Sequence, residues 1–420
     1  MESRNLGEWL ERIEAIHPKS IDMGLDRIRA VQTTLALGPI ASQVITVGGT
    51  NGKGSTVAFL ERIGLAEGWT VGAYTSPHLL HFGERIRING MPVDDAAIVG
   101  AFERIEMARA ETLLTYFEFA TLAALILFAD AGLDLVILEV GLGGRLDATN
   151  IIDSDVAVIT TVDLDHQDYL GTDRESIGHE KAGIMRPWKP VVLGDEDPPS
   201  SVLKRAYEIG ASAIRYRCDY FVETQAGADT FIWREPGTRL RVPLPQLAAP
   251  IQIRNAGVAI AAMRALPKSP SRNALRQGIE QAVVPGRLQR LSVQDKTVYV
   301  DVAHNPQAAG SLADFLRAHP ITGRTLAVYA GLKDKDRVGV LETLAPEIDA
   351  WWIAALDGPR GQDIDAMRQV LEGKVALDVV QWSPDLKAAL AAALSEANGD
   401  DQVLVFGSFL TVAQALDSLA

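Results

Sequence analysis

The sequence is poor in cysteine, in positive charge and in long apolar runs. Its one cysteine, Cys218, excludes an intramolecular disulfide and any multi-cysteine zinc site. Lys and Arg number 40 against 54 Asp and Glu, a net charge of −14, which argues against the basic excess of nucleic-acid and membrane-surface binders. Anionic small molecules stay open as ligands, because a locally positive loop and metal ions can hold them. The longest apolar run, around Thr121–Ala129, is too short and too close to acidic residues to span a bilayer. Residues 2–16 carry four glutamates among Leu6, Trp9, Leu10, Ile13 and Ile16, the spacing of an amphipathic helix and not of a signal peptide. No repeat or low-complexity segment stands out. These absences lead us to expect a cytoplasmic protein, monomeric, with small-molecule partners and neither nucleic acid nor membrane.

What is present is a soluble globular balance, 47% hydrophobic and 22% charged over 420 residues, enough for two or three domains. The chain is organised around Val44-Ile45-Thr46-Val47-Gly48-Gly49-Thr50-Asn51-Gly52-Lys53-Gly54-Ser55-Thr56. It reads as a buried strand, a glycine-rich turn and the first turn of a helix. Glycines let the backbone turn tightly against a ligand. N–H groups at the helix N-terminus then favour an anion. Lys53 adds a mobile charge, and Ser55 and Thr56 add hydroxyls. Together they form a phosphate cradle of the P-loop kind. The spacing departs from the usual one: three residues separate Gly48 from Gly52, and Gly54 follows the lysine. The loop pattern alone also suits a plain strand-to-helix turn.

Further along, strands are expected at Val71–Tyr74, Glu84–Gly90 (closed by Asn89-Gly90), Asp134–Val140 and Val156–Thr161, and helices at Gly24–Leu37, Asp94–Glu111 and from Thr115. Glu139 ends a strand buried on both faces, where an unpaired carboxylate is expensive. A bound cation would resolve that cost. Ser76, in Thr75-Ser76-Pro77-His78, follows a strand at the edge where α/β sheets place ligands, or is simply a turn serine. His166 lies among Asp163, Asp165 and Asp168, again after a strand. The stretch Gly141–Asn150 fails as a dinucleotide fingerprint, since its glycine spacing is wrong and no helix starts there. Tyr220–Val242 reads as a β-meander, Ile253 opens a helix with Asn255 as an N-cap candidate, and Pro285-Gly286 breaks the chain before a second series of strands. Those runs, at 298–301, 325–330, 349–354, 376–381 and 402–406, alternate with helices and predict a second, Rossmann-like parallel sheet.

Gly-Thr-Asn-Gly-Lys-Gly-Ser at 49–55, Glu-Val-Gly-Leu-Gly-Gly-Arg-Leu-Asp-Ala-Thr-Asn at 139–150 and Asp-Val-Ala-His-Asn-Pro at 301–306 are individually specific. They resemble the Mur ligase superfamily, and within it the bacterial dihydrofolate synthase/folylpolyglutamate synthase branch, from about residue 20 to the end. The resemblance implies an α/β fold: a P-loop-type parallel-sheet ATPase domain that also binds pterin (1–285), a linker (286–294) and a smaller Rossmann-like domain (295–420), with the active site in the cleft between them. It implies ATP-dependent joining of L-glutamate to 7,8-dihydropteroate or to reduced folates through an acyl phosphate. Gly52, Lys53, Gly54, Ser55, Asn255, Arg287 and Asp301 would contact ATP. Ser76, Glu139 and His166 would hold two magnesium ions, with Lys181, in the helix after His166, carbamylated (N6-carboxylated) as a further ligand. Lys53, Lys181, His166 and His304 would be the catalytic groups. The pterin would meet Asp26, Arg27, Ile28, Tyr116, Phe117, Glu118, Phe119, Leu146, Asp147 and Ala148. Glutamate would meet Arg85, His304 and Ser408. On pattern alone Asp26-Arg27 is better read as a solvated charge pair, and residues 116–119 as core packing with a helix-start charge. Two rivals stand beside this reading: a folylpolyglutamate synthase without the dihydropteroate activity, and a nucleotide-binding module with no ligase step.

Overall fold

The computed structural model describes residues 4–19, 21–225, 227–358, 360–372 and 379–419. Two compact units result: Met1–Gln246 with Ile253–Ala282, and Leu247–Gln252 with Val283–Ala420.

The first unit is built on a sheet of β1 (Ala41–Gly48), β2 (Val71–Tyr74), β3 (Ile86–Ile88), β4 (Met91–Pro92), β5 (Leu133–Glu139), β6 (Val156–Ile159), β7 (Pro190–Leu193) and β8 (Ser212–Arg215), in the order β4-β3-β2-β5-β1-β6-β7-β8. From β2 to β8 every pairing is parallel, while β3 and β4 add an antiparallel hairpin at one edge. Register sets Val47 beside Glu139 and Gly48 beside Ile159. The chain leaves β1 for one side of the sheet and later passes to the other. The β1 loop therefore sits where the order reverses, the place where open α/β sheets bind ligands. The apolar runs of the central strands are buried on both faces. One face carries two cores side by side, that of Trp9, Ile28, Phe102, Phe119, Phe128 and Val136 and that of Ile159, Ile177, Ile184, Val191 and Val202, while the register turns Val47, Ile137 and Val158 to the opposite face. A meander of β9 (Phe221–Thr224), β10 (Thr230–Glu235) and β11 (Thr238–Pro243) is appended, as the turn residues predicted.

The second unit has β12 (Gln289–Val293), β13 (Lys296–Asp301), β14 (Thr325–Tyr329), β15 (Ala350–Ala354), β16 (Val380–Ser383) and β17 (Gln402–Phe406), in the order β12-β13-β17-β14-β15-β16. Its core gathers Phe315, Tyr329, Trp351, Ile353 and Phe406.

Several sequence expectations are corrected. The second sheet is mixed, because β12 forms an antiparallel hairpin with β13. Residues 289–293, inside the stretch read as a linker, are that strand. Glu84 and Arg85 belong to a 3-10 turn, Phe82–Arg85, because the Glu84 carboxylate gathers the N–H groups of Leu79, Leu80 and His81 at 2.7–2.9 Å; the strand is only Ile86–Ile88. The Asn89-Gly90 turn holds, with φ of 53° and 79°. A short 3-10 helix, Ala148–Ile151, closes the stretch where none was expected. Asn255 is the fifth residue of the helix Ile251–Ala265 and not its cap. Residues 376–378 of the expected run at 376–381 lie outside the described residues.

Candidate active site

The parallel register brings four strand ends together: the β1 loop, Thr75-Ser76 after β2, Glu139 at the end of β5, and the segment from Thr160 to His166 after β6. The loop is shaped by contacts that leave no room for side chains. A Cβ on Gly49 (φ 147°) would lie 1.9 Å from Thr160 Oγ1, and one on Gly52 (φ 84°) 2.8 Å from Asn255 Oδ1. Gly52 caps the helix Lys53–Ala66, so its first N–H groups face the loop. Lys53 Nζ donates to the carbonyls of Gly49 (2.9 Å) and Thr50 (3.2 Å), folding the cation over its own loop. Gly54 and Ser55 follow in the first helical turn, with Ser55 buried.

Glu139 is buried, and its Oε2 accepts the N–H of Ser76 at 3.3 Å. His166 takes a left-handed conformation (φ 51°), and its ring lies 3.8 Å from Asp165 Oδ2. Lys181 is buried too. Burial first, then the nearby Lys53 charge, bring its amine down from 10.5 to about 7, with Asp165 and Asp147 opposing.

At the other end of this constellation, Tyr116 and Phe117 are partly exposed, whereas Ile28 and Phe119 are fully buried in the core. Asp26 is exposed. Arg27 pairs not with it but with Asp22 (2.6 Å) and Glu118 (3.4 Å), so the Asp26-Arg27 charge pair does not form. Glu118 is the N3 partner of Thr115 in a capping box; its Oε2 accepts Thr115 N, and its buried Oε1 has no hydrogen bond among the described residues. Leu146 is partly buried and Ala148 buried. Between them Asp147 accepts four hydrogen bonds inside its own loop: Gly141 N (3.0 Å) and Leu142 N (2.9 Å) on one oxygen, Thr149 N (3.0 Å) and Thr149 Oγ1 (2.7 Å) on the other. Burial pushes its pKa up against those bonds. Arg85 is buried between the rings of Phe82 (5.6 Å) and Tyr116 (5.4 Å), and its Nε donates to His78 Nδ1 at 2.8 Å.

In the second unit, Asp301 ends β13 and accepts Leu288 N (2.6 Å) and Ala303 N (2.7 Å); burial raises its pKa, and Arg287 opposes that. Arg287 lies 5.2 Å above the Phe409 ring. His304 Nδ1 bonds the Val302 carbonyl at 2.9 Å. Ser408 is buried, its hydroxyl accepting Thr411 N (3.0 Å) and sharing a bond with Thr411 Oγ1 (2.7 Å), so it serves as a helix cap.

The family models agree with this geometry. Residues 47–263 match the Mur ligase middle domain, and residues 286–409 the Mur ligase, glutamate ligase domain. The dihydrofolate synthase/folylpolyglutamate synthase of Escherichia coli K12 is 45% identical over 412 residues, 98% of this chain and 95% of that protein. The chain belongs to the dihydrofolate synthase/folylpolyglutamate synthase family. The solved structure of Escherichia coli FolC in complex with DHPP and ADP matches with a TM-score of 0.93 and 44% identity, covering 99% of this chain and 97% of that one. A bifunctional folylpolyglutamate synthase/dihydrofolate synthase with Mn, AMPPNP and L-glutamate bound matches at 0.91 and 43%, covering 99% and 98%.

For a family member that uses a divalent cation, the donor set fits. Among the described residues no group of three His, Cys, Asp or Glu forms a cage. One buried carboxylate, Glu139, beside Ser76 and a phosphate loop suits magnesium, which binds through one or two carboxylates and completes its sphere with phosphate oxygens and water.

Sequence reasoning missed the residues that hold this site in register. Thr160 Oγ1 donates to Asn51 O at 2.6 Å, and Thr161 Oγ1 accepts Asn51 N at 3.0 Å. Thr50 Oγ1 donates to Asp163 O and accepts Asp163 N, both at 3.0 Å, clamping the phosphate loop to the His166 segment. Glu61, on the helix after the phosphate loop, holds Arg87 at 2.9–3.2 Å, and Arg87 donates onward to Thr75 Oγ1 (3.0 Å) and Glu84 O (2.9 Å). Two signals were there to find them. Thr160-Thr161 is a polar pair closing an apolar strand, and Glu61 is a lone carboxylate among Phe59, Leu60 and Ile63.

Proposed function

We propose that this family member is an ATP-dependent ligase that joins L-glutamate to 7,8-dihydropteroate and extends reduced folates by further glutamates, through an acyl phosphate. The observation that carries it is the juxtaposition of the Lys53 phosphate loop with buried Glu139 at the neighbouring strand end and with buried Lys181 on the helix Arg174–Ala182, whose amine feels the Lys53 charge. The substrate carboxylate oxygen attacks the γ-phosphorus and ADP leaves. The amine of glutamate then attacks the acyl carbon, phosphate departs, the ammonium proton is lost, and an amide remains. One hard displacement becomes two easier ones.

Gly52, Lys53, Gly54 and Ser55 cradle the phosphates, and Lys53 swings from its loop carbonyls to the transferring group. Asn255 and Asp301 contact the nucleoside, and Arg287 the phosphates. Two magnesium ions, when bound, supply charge neutralisation at the phosphate oxygens. Ser76 and Glu139 would hold one. Glu139, His166 and a carbamylated Lys181 would hold the other, and an amine brought down to about 7 has the neutral fraction that CO2 needs. Tyr116 and Phe117 offer flat faces to a pterin, and Glu118 Oε1 is a buried acceptor for a ring amino group. Arg85 and His304 are assigned to glutamate. The reading takes the enzyme to be a cytoplasmic monomer; no helix among the described residues is long and apolar enough to cross a membrane.

ATP-dependent phosphate release with L-glutamate, using 7,8-dihydropteroate or a reduced monoglutamyl folate, tests this. Release with both substrates is expected. Release with the folate alone would reduce the activity to folylpolyglutamate synthesis. No glutamate-dependent release with either would refute the ligase assignment.

A further inference from the structure

Arg337 opens the helix Arg337–Leu344, just past the carboxyl end of β14 in the second unit. Its Nε and Nη1 are buried without a hydrogen-bond partner, and among the described residues no carboxylate reaches the guanidinium. The nearest acidic neighbours are committed elsewhere. Asp336 Oδ1 caps the helix by accepting Gly339 N at 3.0 Å, and Asp334 pairs with Arg360 at 2.6 Å. Arg337 as a whole is half-buried, but at these two nitrogens hydration is lost and nothing among the described residues replaces it, a cost that an anion would relieve.

The surroundings hold the Arg337 stem in place. Arg337 Cγ lies 3.0 Å from where a Cβ on Gly331 would stand, and Tyr329 Oη lies 2.4 Å from that same point, so any side chain at 331 would push against both. Gly407, after β17, abuts the carbonyl of Ala330, and Gly339 abuts Pro306, two residues past His304. The ends of β13, β14 and β17 therefore converge beside Arg337. Ser408, the sequence candidate for a glutamate contact at this edge, has its hydroxyl occupied by Thr411.

We infer that Arg337 anchors a carboxylate of the incoming L-glutamate at this edge of the second sheet. The inference rests on the ligase reading above and gives it a specificity residue. A carboxylate is favoured over the nucleotide phosphates because the second unit has no glycine-rich phosphate loop of its own; the guanidinium fork itself suits either anion.

The test uses the full-length enzyme, Arg337→Met and Arg337→Lys, and two nucleophiles. Hydroxylamine can replace glutamate at the acyl phosphate, its nitrogen attacking the acyl carbon as phosphate leaves, but it carries no carboxylate. Arg337→Met should raise the KM for L-glutamate by about 30- to 100-fold, the factor for losing a charge-assisted contact. Arg337→Lys should recover part of that loss. Hydroxamate formation and the KM for ATP should match the unaltered enzyme, which also establishes that the variant is folded. An unchanged glutamate KM overturns the inference, and so does a parallel fall in hydroxamate formation or a rise confined to the ATP KM. Absence of glutamate-dependent release from the unaltered enzyme overturns the ligase reading and this inference together.

Discussion

Asp147→Asn changes one atom for another of nearly the same size, yet the structure makes it a severe substitution. Both carboxylate oxygens are saturated by four donors within one buried turn. An amide keeps one acceptor and turns the other into a donor. If its nitrogen faces Gly141 and Leu142, two backbone N–H groups are left unpaired. If it faces Thr149, the hydroxyl can rotate to accept and only Thr149 N is orphaned, so the amide should settle that way. One buried orphan donor costs about 1–3 kcal/mol. The charge assistance lost at the surviving bonds is offset by no longer burying a charge, which already raises this pKa. The net expectation is about 2 kcal/mol, near 4–8 °C in Tm for a unit of this size. Gly141 lies directly against the Phe117 ring, since a Cβ there would meet Cζ at 2.6 Å. Loosening the turn should therefore move the ring and raise the KM for dihydropteroate more than that for ATP. Thermal unfolding and initial rates with each substrate varied would show both effects. A Tm within about 1 °C of the parent and unchanged KM values would refute the argument that Asp147 organises this loop.

Other perturbations follow from the same geometry. Lys53→Ala removes the bonds to the loop's own carbonyls but no part of the apolar core, so the fold should persist while kcat drops at least about 10²- to 10³-fold; near-native turnover would remove Lys53 from the chemistry. Because the Lys181 amine titrates near 7, well below 10.5, uptake of ¹³C-bicarbonate as a carbamate should grow above that pH and fade below it. The carbamate resonance should be missing in Lys181→Arg, and its persistence there would place the modification elsewhere. Burial, reinforced by the Arg85 charge, brings His78 from 6.5 to about 4. The unfolded chain then takes up this proton at a higher pH than the folded one. The stability it contributes is complete above 6.5 and is lost as pH falls toward 4. His78→Gln should thus show a smaller loss of Tm between about pH 7 and about pH 5 than the parent, and equal losses would contradict that origin.

The sequence by itself determined the chemistry-bearing elements. Gly-Lys-Gly after an apolar β-branched run dictates a strand, a turn with no room for Cβ atoms and a helix N-terminus, all within a dozen neighbouring residues. The apolar run ending at Glu139 and the Asn89-Gly90 hairpin are equally local, so period and turn chemistry sufficed. What only the tertiary structure decided lies across long sequence separations. Strand order set β5 and β6 on either side of β1, which put Glu139 and the His166 segment against the phosphate loop. Hydroxyls at Thr160 and Thr161, more than a hundred residues from Asn51, fix that loop's shape. Arg27 chose Asp22 and Glu118 over its neighbour Asp26, because helix geometry turns residues 26 and 27 apart. The two orphaned nitrogens of Arg337 exist only because folding buries them while committing Asp334 and Asp336 to other partners. Local sequence fixes what each side chain can do; burial and the competition among donors and acceptors settle which of them are left facing a ligand.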